Sequence, residues 1–378
     1  MLVPRLILAF ALLLLAGCRT PTRPVFPIGI YGASTPADLA AVRDAGFNVV
    51  VGPATQDYLD TAQREGLRVF ATSGSGLAPE ARRRNDSHPA LWAWYVEDEP
   101  DLLRRRPEAT RDLVRDFRAA GMKKPTALVL ASGREADRYG RFADWLILDN
   151  YPVPWMPLGE FSKQLRFTRF AAGPDRPVLA VVQAFSWTAF PSVFPPRPGL
   201  RPPTFDEIRA MTFLTLTEGL RGLFFYTYRD TGSVPGWDMA REPETWDSVR
   251  RVVREVRDME PLFLGRMAWR DFDIGYPDGE PSRNPVFDPA IQAARVHVDP
   301  AIGTEPVPAG DYVVAVNTTT NRIAWRFSWR RGGPDAIAVV GEARQLVLNR
   351  GAFTDVFAPY AVHVYGPRMQ GRGPLPSL

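Results

Sequence analysis

From Phe26 onward, short apolar runs alternate with amphipathic stretches, which is the pattern of parallel strands covered by helices. Eight apolar runs predict strands, and they lie at Pro27–Tyr31, Phe47–Val51, Leu67–Ala71, Trp92–Val96, Thr126–Leu130, Trp145–Asp149, Val178–Gln183 and Gly222–Tyr226. Between them, stretches such as Pro36–Ala45 and Pro107–Ala120 repeat apolar residues at helical spacing. A count of eight favours a closed (β/α)₈ barrel over an open doubly wound sheet.

The pattern changes after the last predicted barrel helix, Glu242–Phe263. Short strands without helices between them follow, at Val313–Asn317, Ile323–Phe327, Ala336–Val340, Gln345–Leu348 and Ala361–Tyr365. We therefore predict an α/β fold, a (β/α)₈ TIM barrel followed by a small C-terminal antiparallel β-sandwich.

The N-terminal segment has the layout of an export signal. Arg5 precedes an apolar run, Leu6–Leu15, that is too short to span a bilayer permanently. Leu15-Ala16-Gly17-Cys18 resembles the bacterial lipoprotein box, in which the cysteine becomes the lipidated first residue. Cys18 is the only cysteine, so it has no disulfide partner in the chain. The resemblance implies lipidation at Cys18, whereas a buried free thiol after an ordinary signal is the alternative.

This resemblance also implies a location and a set of boundaries. Arg19 follows the cysteine, and the absence of Asp there resembles outer-membrane retention, so we expect a lipid-anchored protein of the bacterial envelope at the outer membrane. The predicted boundaries are a lipoprotein signal peptide at 1–17, a tether at 18–26, the barrel at 27–263, the sandwich at 264–368 and a tail at 369–378.

Composition limits the classes of function. The 378 residues carry 46 Lys and Arg against 42 Asp and Glu, so the formal net charge is only +4. No nucleic-acid partner is predicted from that balance. The hydrophobic fraction of 45% excludes a chain that is disordered throughout. The oligomeric state is not predicted.

Catalytic groups in barrel enzymes lie at the carboxyl ends of the strands. The most conspicuous acidic cluster, Glu97-Asp98-Glu99, follows the fourth predicted strand. Three adjacent carboxylates repel one another when buried together, which points to binding or proton transfer. A solvated acidic loop that caps the next helix is the structural alternative.

The segment Trp94-Tyr95-Val96-Glu97-Asp98-Glu99-Pro100 resembles the Asn-Glu-Pro motif after the fourth strand of retaining (β/α)₈ glycoside hydrolases. The resemblance implies that Glu99 is the general acid/base and that a carbohydrate is the substrate. Asp98 stands where that family has an Asn, and it keeps a hydrogen-bond acceptor while adding a charge.

The same resemblance places the family's nucleophilic Glu at Gln183, at the end of the seventh strand. An amide cannot attack an anomeric carbon to form a glycosyl ester, so a second carboxylate is needed. We predict Asp149, which ends the sixth strand. A separation of roughly 5 Å from Glu99 would allow a covalent intermediate, and roughly 6.5 to 9.5 Å would leave room for water. Capping or an ion pair with Arg is the alternative reading of Asp149, and Asp230 is a third candidate.

Aromatic residues supply the other half of a sugar site, because flat apolar sugar faces stack on rings. We predict a substrate-binding set at or just beyond the strand ends: Tyr31, Glu97, Asp98, Tyr151, Gln183, Trp187, Tyr226 and Tyr228. Each aromatic residue, taken singly, also fits packing at the barrel rim.

Other chemistries have little support. The three histidines, His88, His297 and His363, are widely separated, and no Cys-x-x-Cys spacing exists, so no metal site is predicted. The segment Thr72–Gly76 lacks the first glycine of a nucleophile elbow, and no Walker-type loop occurs. We predict no cofactor.

Two functional classes remain. The first is a lipid-anchored glycoside hydrolase that cleaves an oligo- or polysaccharide. The second is a non-catalytic carbohydrate-binding lipoprotein that keeps the barrel and its aromatic residues without the nucleophile.

Overall fold

A computed structural model describes residues 24–72, 78–230, 232, 234–268, 272–275, 290–329 and 334–367. The chain forms a closed barrel in which each strand pairs in parallel with the next and the eighth pairs with the first. Its strands are β1 (Ile28–Tyr31), β2 (Val49–Pro53), β3 (Arg68–Thr72), β4 (Leu91–Glu97), β5 (Thr126–Leu130), β6 (Trp145–Leu148), β7 (Val178–Gln183) and β8 (Leu223–Tyr226). The predicted TIM barrel is confirmed, and no predicted strand boundary differs by more than two residues.

Helices cover the outside of the barrel. They are α1 (Pro36–Asp44), α2 (Gln56–Arg64), α3 (Pro79–Asn85), α4 (Pro107–Ala119), α5 (Ala136–Tyr139), α6 (Leu158–Ala172), α7 (Phe205–Thr217), α8 (Pro243–Asp258) and α9 (Glu260–Leu264). Two of them begin with reciprocal caps, because Thr35 and Asp38 satisfy each other's backbone N–H groups, as do Thr204 and Glu207. The described residues contain no helix that is long and apolar enough to cross a membrane.

Alternation along each strand decides which side chains fill the barrel. Val49, Phe70, Ile147, Val181 and Phe224 belong to one interior cluster, while their sequence neighbours pack outward against the helices. Gly29 permits a close approach of the Phe224 ring, since a Cβ there would lie 2.1 Å from Cδ1 of Phe224. The barrel centre is therefore a packed core, and open space lies at its ends.

The C-terminal region is a sandwich of two antiparallel sheets, and its strands are β11 (Arg266–Ala268), β12 (Phe272–Gly275), β13 (Ile291–Val298), β14 (Gly310–Asn317), β15 (Ile323–Trp329), β16 (Ala336–Val339), β17 (Gln345–Val347), β18 (Ala352–Phe357) and β19 (Val362–Gly366). Two short strands that precede them in the chain, β9 (Arg229–Asp230) and β10 (Trp237–Asp238), form a hairpin after β8. One sheet has the order β11-β13-β14-β19-β16-β17 and the other β12-β15-β18. The predicted sandwich is confirmed, but β11, β12, β13 and β18 were not predicted.

The sandwich packs on the barrel through the helix layer. Arg209 on α7 pairs with Glu255 on α8 and donates to the backbone carbonyl of Val362 in β19. Arg166 on α6 pairs with Glu218 and also donates to Gln292 in β13. These buried arginines satisfy carboxylates and join the two parts of the molecule.

Candidate functional site

The last inward-facing positions of several barrel strands meet at the carboxyl end of the barrel. They are Tyr31 in β1, Tyr95 in β4, Asp149 directly after β6 and Tyr226 in β8. Asp98 and Glu99 follow β4, and Tyr151 lies two residues beyond Asp149. We call these seven residues the barrel mouth.

The backbone of β5 positions both candidate catalytic residues. The amide N–H of Glu99 donates to the carbonyl of Val129 at 3.1 Å, and that of Asp149 donates to Leu130 at 3.1 Å. Glu99 has a φ of 44°, in the left-handed region that non-glycine residues seldom occupy. The chain therefore turns sharply at Glu99, and the single strand β5 lies between Glu99 and Asp149.

The two carboxyl groups, which we call the carboxyl pair, lie within hydrogen-bonding reach of each other. Direct contact between the two groups leaves no room for the water molecule of the roughly 6.5 to 9.5 Å arrangement considered for glycosidases. A hydrogen bond between two carboxyl groups requires a proton on one of them. The pair therefore resembles two acids that share one proton because both cannot ionise at such a short distance.

Burial decides which acid keeps that proton. Asp149 Oδ1 is closed to solvent and accepts no bond from a nitrogen or hydroxyl donor. Its pKa is raised well above the ordinary value, by burial first and then by the charges of Glu99 and Asp98. The pKa of Glu99 is raised to about 6, mainly by burial, against a lowering hydrogen bond from Asp149. At neutral pH the pair therefore holds one proton, and the stronger burial of Asp149 favours this residue as its carrier.

Tyrosine rings line the mouth around the pair. Tyr31 lies edge-on to Tyr95 at 6.2 Å and to Tyr226 at 5.5 Å between ring centroids. Tyr151 lies 5.8 Å from Tyr226 and 6.1 Å from Trp187, so the rings form a continuous wall. Burial raises the pKa of Tyr31, Tyr95 and Tyr151, which keeps their hydroxyls neutral.

Two further carboxylates are held by these phenols. The Tyr95 hydroxyl donates to Asp98 at 2.5 Å, and the Tyr226 hydroxyl donates to Asp230 at 2.8 Å. Asp98 is exposed at the rim of the mouth, where a ligand can reach it. Asp230 is not paired with its sequence neighbour Arg229, because Arg229 contacts Asp38 and Asp238.

Glu97 is not part of the mouth, although the sequence grouped it with Asp98 and Glu99. The pairing of β4 with β5 shifts register between Tyr95 and Glu97, and this irregularity turns the Glu97 side chain outward. Its two oxygens accept bonds from Arg105 at 2.9 Å and Thr110 at 2.6 Å. The structure therefore gives Glu97 a role in fixing α4 and the preceding loop, which corrects its grouping with the substrate-binding residues.

Gln183 and Tyr228 are also engaged elsewhere. Gln183 is fully buried, and its side-chain amide accepts a hydrogen bond from the N–H of Val153 and donates one to its carbonyl, both at 2.9 Å. These two bonds hold the loop after β6 in place. Tyr228 is buried in the helix layer, where it packs edge-on against Trp246 at 5.2 Å. Neither side chain is presented to a ligand at the mouth, which corrects the expectation from the sequence.

The sequence did not single out Tyr95 or Asp101 as site residues. Tyr95 is the last inward position of β4 before the register shift, and strand alternation could have identified it. Asp101 accepts bonds from the N–H groups of Ala131 and Ser132, and its charge raises the pKa of Glu99 and Asp149. No local pattern indicates that contact, because it joins two loops about thirty residues apart.

The described residues contain no group of three or more His, Cys, Asp or Glu side chains arranged to hold a metal ion. Cys18, the predicted lipidation site, lies outside the described residues, as do the signal peptide at 1–17 and the tail at 369–378.

Comparison with known proteins gives a fold and no family. No protein-family model matches the sequence, and no curated protein matches it. Among solved structures, the chain is similar to an α-amylase from Geobacillus thermoleovorans in complex with acarbose, with 10% identity and a TM-score of 0.55 over 92% of this chain and 99% of that one.

Two further structures have a similar fold. A putative α-galactosidase/melibiase from Bacteroides fragilis has 10% identity and a TM-score of 0.55, over 91% of this chain and 79% of that one. A GH30 endoxylanase from Clostridium papyrosolvens has 10% identity and a TM-score of 0.50, over 92% and 97%. The architecture is thus that of a glycoside hydrolase-like TIM barrel, and at this identity the likeness concerns the fold alone.

Proposed function

We propose that this protein is a glycoside hydrolase that cleaves an O-glycosidic bond of an oligo- or polysaccharide by carboxyl acid/base catalysis. The observation that carries the proposal is the carboxyl pair, in which Glu99 and Asp149 lie within hydrogen-bonding reach of each other at the mouth of a barrel. A buried pair of acids with separated pKa values supplies one proton donor and one carboxylate at neutral pH. Glycosidic cleavage needs that combination.

The environments of the two acids assign their roles in this proposal. Asp149 holds the shared proton and donates it to the glycosidic oxygen, because burial keeps its pKa higher than that of Glu99. Glu99 remains as the carboxylate that faces the positive charge developing on the sugar. These roles are the reverse of those implied by the sequence resemblance, in which Glu99 is the proton donor.

The resting pair has to open before the reaction. Its members contact each other directly, so the entering glycosidic oxygen replaces one carboxyl as the hydrogen-bond partner of the other. The left-handed turn at Glu99 is one place where the backbone stores strain that substrate binding can release.

The aromatic wall supports a carbohydrate as the ligand. Tyr31, Tyr151, Tyr226 and Trp187 form adjoining ring surfaces, and Asp98 offers an exposed acceptor for hydroxyl groups. Sugars combine apolar ring faces with directed hydroxyls, and such a surface matches both. The amylase structure of similar fold contains acarbose, a fact that concerns that protein.

We also propose that the protein is anchored in the bacterial envelope, at the outer membrane, by lipid on Cys18. The support is the Leu15-Ala16-Gly17-Cys18 sequence and the single cysteine. Metabolic labelling with a tagged fatty acid is expected to mark the wild-type chain and not the Cys18→Ala variant. Equal labelling of both chains would refute lipidation at this residue.

A glycan panel tests the catalytic proposal. The full-length protein, in a detergent without a sugar head group, is incubated with neutral and acidic glycans, and both product formation and binding are measured. We expect the wild-type protein to release products and Glu99→Gln to bind without releasing them. The control Glu108→Gln makes the same substitution on exposed α4, away from the mouth, and should keep full activity.

The same panel separates the two functional classes. Binding by the wild-type protein without any product would contradict the hydrolase and leave the carbohydrate-binding lipoprotein. Unchanged turnover in Glu99→Gln would remove Glu99 from the mechanism.

A further inference from the structure

A second feature of the barrel top is a cleft lined by arginines, beside the mouth. It has a volume of about 570 Å³ and lies between the loop after β4 and the loop after β5. Four arginines line it: Arg104, Arg105, Arg106 and Arg138. We call this cleft the arginine groove. Its volume lies within the range of about 300 to 1,000 Å³ that is usual for small-ligand sites.

The charge of the groove is not compensated by its own lining. Against four arginines stand two acids, Asp101 and Glu135. Arg138 pairs with Glu135 at 2.6 Å, and Arg105 pairs with Glu97 at 2.9 Å. Within the part of the chain that the structure describes, Arg104 and Arg106 have no acidic partner.

The two segments that carry these arginines, the loop after β4 and helix α5, are fixed at several points. Asp101 is bonded to the N–H groups of Ala131 and Ser132, and Tyr139 donates to the carbonyl of Arg105. The ion pairs of Arg105 and Arg138 hold those two guanidinium groups in place. These contacts hold the backbone of the groove in place, which lowers the cost of ordering it when a ligand binds.

The groove adjoins the proposed catalytic site. Asp101 lines the groove, and its charge also raises the pKa of Glu99 and Asp149, so it lies within electrostatic reach of both. The charged groups that shift the pKa of Glu99 are acidic, namely Asp98 and Asp101. An anionic group is therefore disfavoured at the mouth and favoured in the neighbouring groove.

We infer that the arginine groove binds an acidic sugar residue, bearing a carboxylate or a sulfate, of a glycan whose scissile bond lies at the mouth. Arginine suits both anions, because its planar guanidinium donates two parallel hydrogen bonds to either group. The inference rests on the proposed function for the position of the scissile bond. It adds that the substrate is an anionic glycan.

Binding measurements test this inference separately from catalysis. The full-length protein is titrated calorimetrically with a tetrasaccharide of uronic acid, with its neutral carboxyl-reduced form and with a sulfated derivative of the reduced form. We expect the two acidic ligands to bind about tenfold or more tightly than the neutral one, and their affinity to fall as salt increases.

Matched variants assign the effect to the groove. Arg104→Gln combined with Arg106→Gln should lower the affinity for acidic ligands about tenfold and leave the neutral ligand unaffected. Arg111→Gln combined with Arg115→Gln removes the same charge from exposed α4, where both side chains pair with Asp112. This control should bind as the wild type does. Equal affinity for acidic and neutral ligands, or an equal loss in the control, would overturn the inference.

Three further outcomes separate this inference from a membrane contact and from the proposed hydrolase activity. Leu102 is 61% exposed beside the arginines, so vesicles of phosphatidylcholine and phosphatidylglycerol form another arm of the test. Arginine-dependent vesicle binding without binding of acidic glycans would overturn the inference in favour of a membrane contact. Acidic-ligand binding without cleavage by the wild-type protein would refute the hydrolase and leave the groove. Cleavage of neutral glycans without tighter binding of acidic glycans would support the hydrolase and overturn the inference about the groove.

Discussion

Asp149 at the barrel mouth and Asp355 in the sandwich are both enclosed carboxyl groups, but their surroundings act on them in opposite directions. Asp149 has no basic partner among the groups that shift its pKa, which lies well above the ordinary value because of burial and the neighbouring acids. The pKa of Asp355 is lowered, because hydrogen bonds from its neighbours outweigh burial.

The contacts of Asp355 explain that difference. Arg344 donates to its two oxygens at 2.7 and 2.8 Å, and the Tyr365 hydroxyl donates at 2.7 Å. His363 lies 2.9 Å away, and the N–H of Val356 also donates to the carboxylate. The sandwich thus satisfies its buried acid completely, as expected for a structural ion pair.

The comparison distinguishes an acid whose contacts stabilise the fold from an acid whose surroundings disfavour its charged form. A satisfied carboxylate joins the two sheets and has no capacity left for a ligand. The carboxyl pair at the mouth keeps unsatisfied oxygens and a proton that it can transfer. A perturbed acid in such a place indicates a functional site better than acidity alone does.

The largest expected effect is on catalysis. Asp149→Asn keeps the shape of the side chain and removes the transferable proton, so we expect glycan cleavage to fall by about a thousandfold. Asp355→Asn should leave turnover per folded molecule unchanged within about twofold, because the side chains that bind Asp355 all belong to the sandwich. The measurement is the cleavage rate of each variant, normalised to its folded fraction. Similar losses of activity in both variants would contradict the assignment of Asp149 to catalysis and of Asp355 to structure.

The second effect is on stability. Asp355→Asn takes the buried carboxylate away from Arg344 and His363, which keep only the more exposed Glu342, and we expect the free energy of unfolding to fall by about 3 kcal/mol. Chemical denaturation measures this loss. Since the folded pKa of Asp355 is lowered, its contribution is present above the unfolded pKa and is lost as pH falls. A variant as stable as the wild type at neutral pH would contradict the structural role.

The third effect is the pH dependence of cleavage. The pKa of Glu99 is raised to about 6, so its catalytic carboxylate forms as pH rises through that value. We expect kcat/KM to be about tenfold lower near pH 5 than near pH 7 and to fall again at higher pH, when Asp149 loses its proton. A profile flat down to about pH 4 would show that Glu99 titrates as an ordinary acid.

The smallest effect is a gain in stability. Asp149 must take up a proton on folding at neutral pH, because its folded pKa exceeds its unfolded one. Asp149→Asn removes that cost, so we expect Tm to rise by about 1 to 3 °C at neutral pH, with a smaller rise at acidic pH. Calorimetric scans measure the shift, and a lower Tm would show that the charged carboxyl has an unrecognised partner.

Strand alternation and turn placement were sufficient to predict the barrel. Ile147 and Asp149 share a face of the sixth strand, so the period of two already placed Asp149 inside the barrel top. Strand β13 was missed because the small residues Ala293 and Ala294 and the polar Arg295 and His297 weaken its apolar pattern. These features are local, and the sequence predicts them as far as the pattern is clear.

The chemistry of the site was predicted less well, because it depends on contacts between distant segments. The register shift in β4 turns Glu97 outward, and no residue in the sequence indicates that shift. The contact between Glu99 and Asp149 arises across strand β5, and Gln183 is occupied by the loop at Val153. The sequence identified the two acids, but the location of their proton follows from burial in the folded barrel.

Infrared difference spectroscopy tests the shared proton most directly and needs no substrate. Spectra of the wild-type protein at neutral pH are compared with those of Asp149→Asn and of Asp355→Asn. We expect Asp149→Asn to remove the carbonyl band of a protonated carboxylic acid and Asp355→Asn to remove only carboxylate bands. Loss of a carboxylate band alone in Asp149→Asn would show that both acids of the pair are ionised, and it would contradict the proposed proton donor.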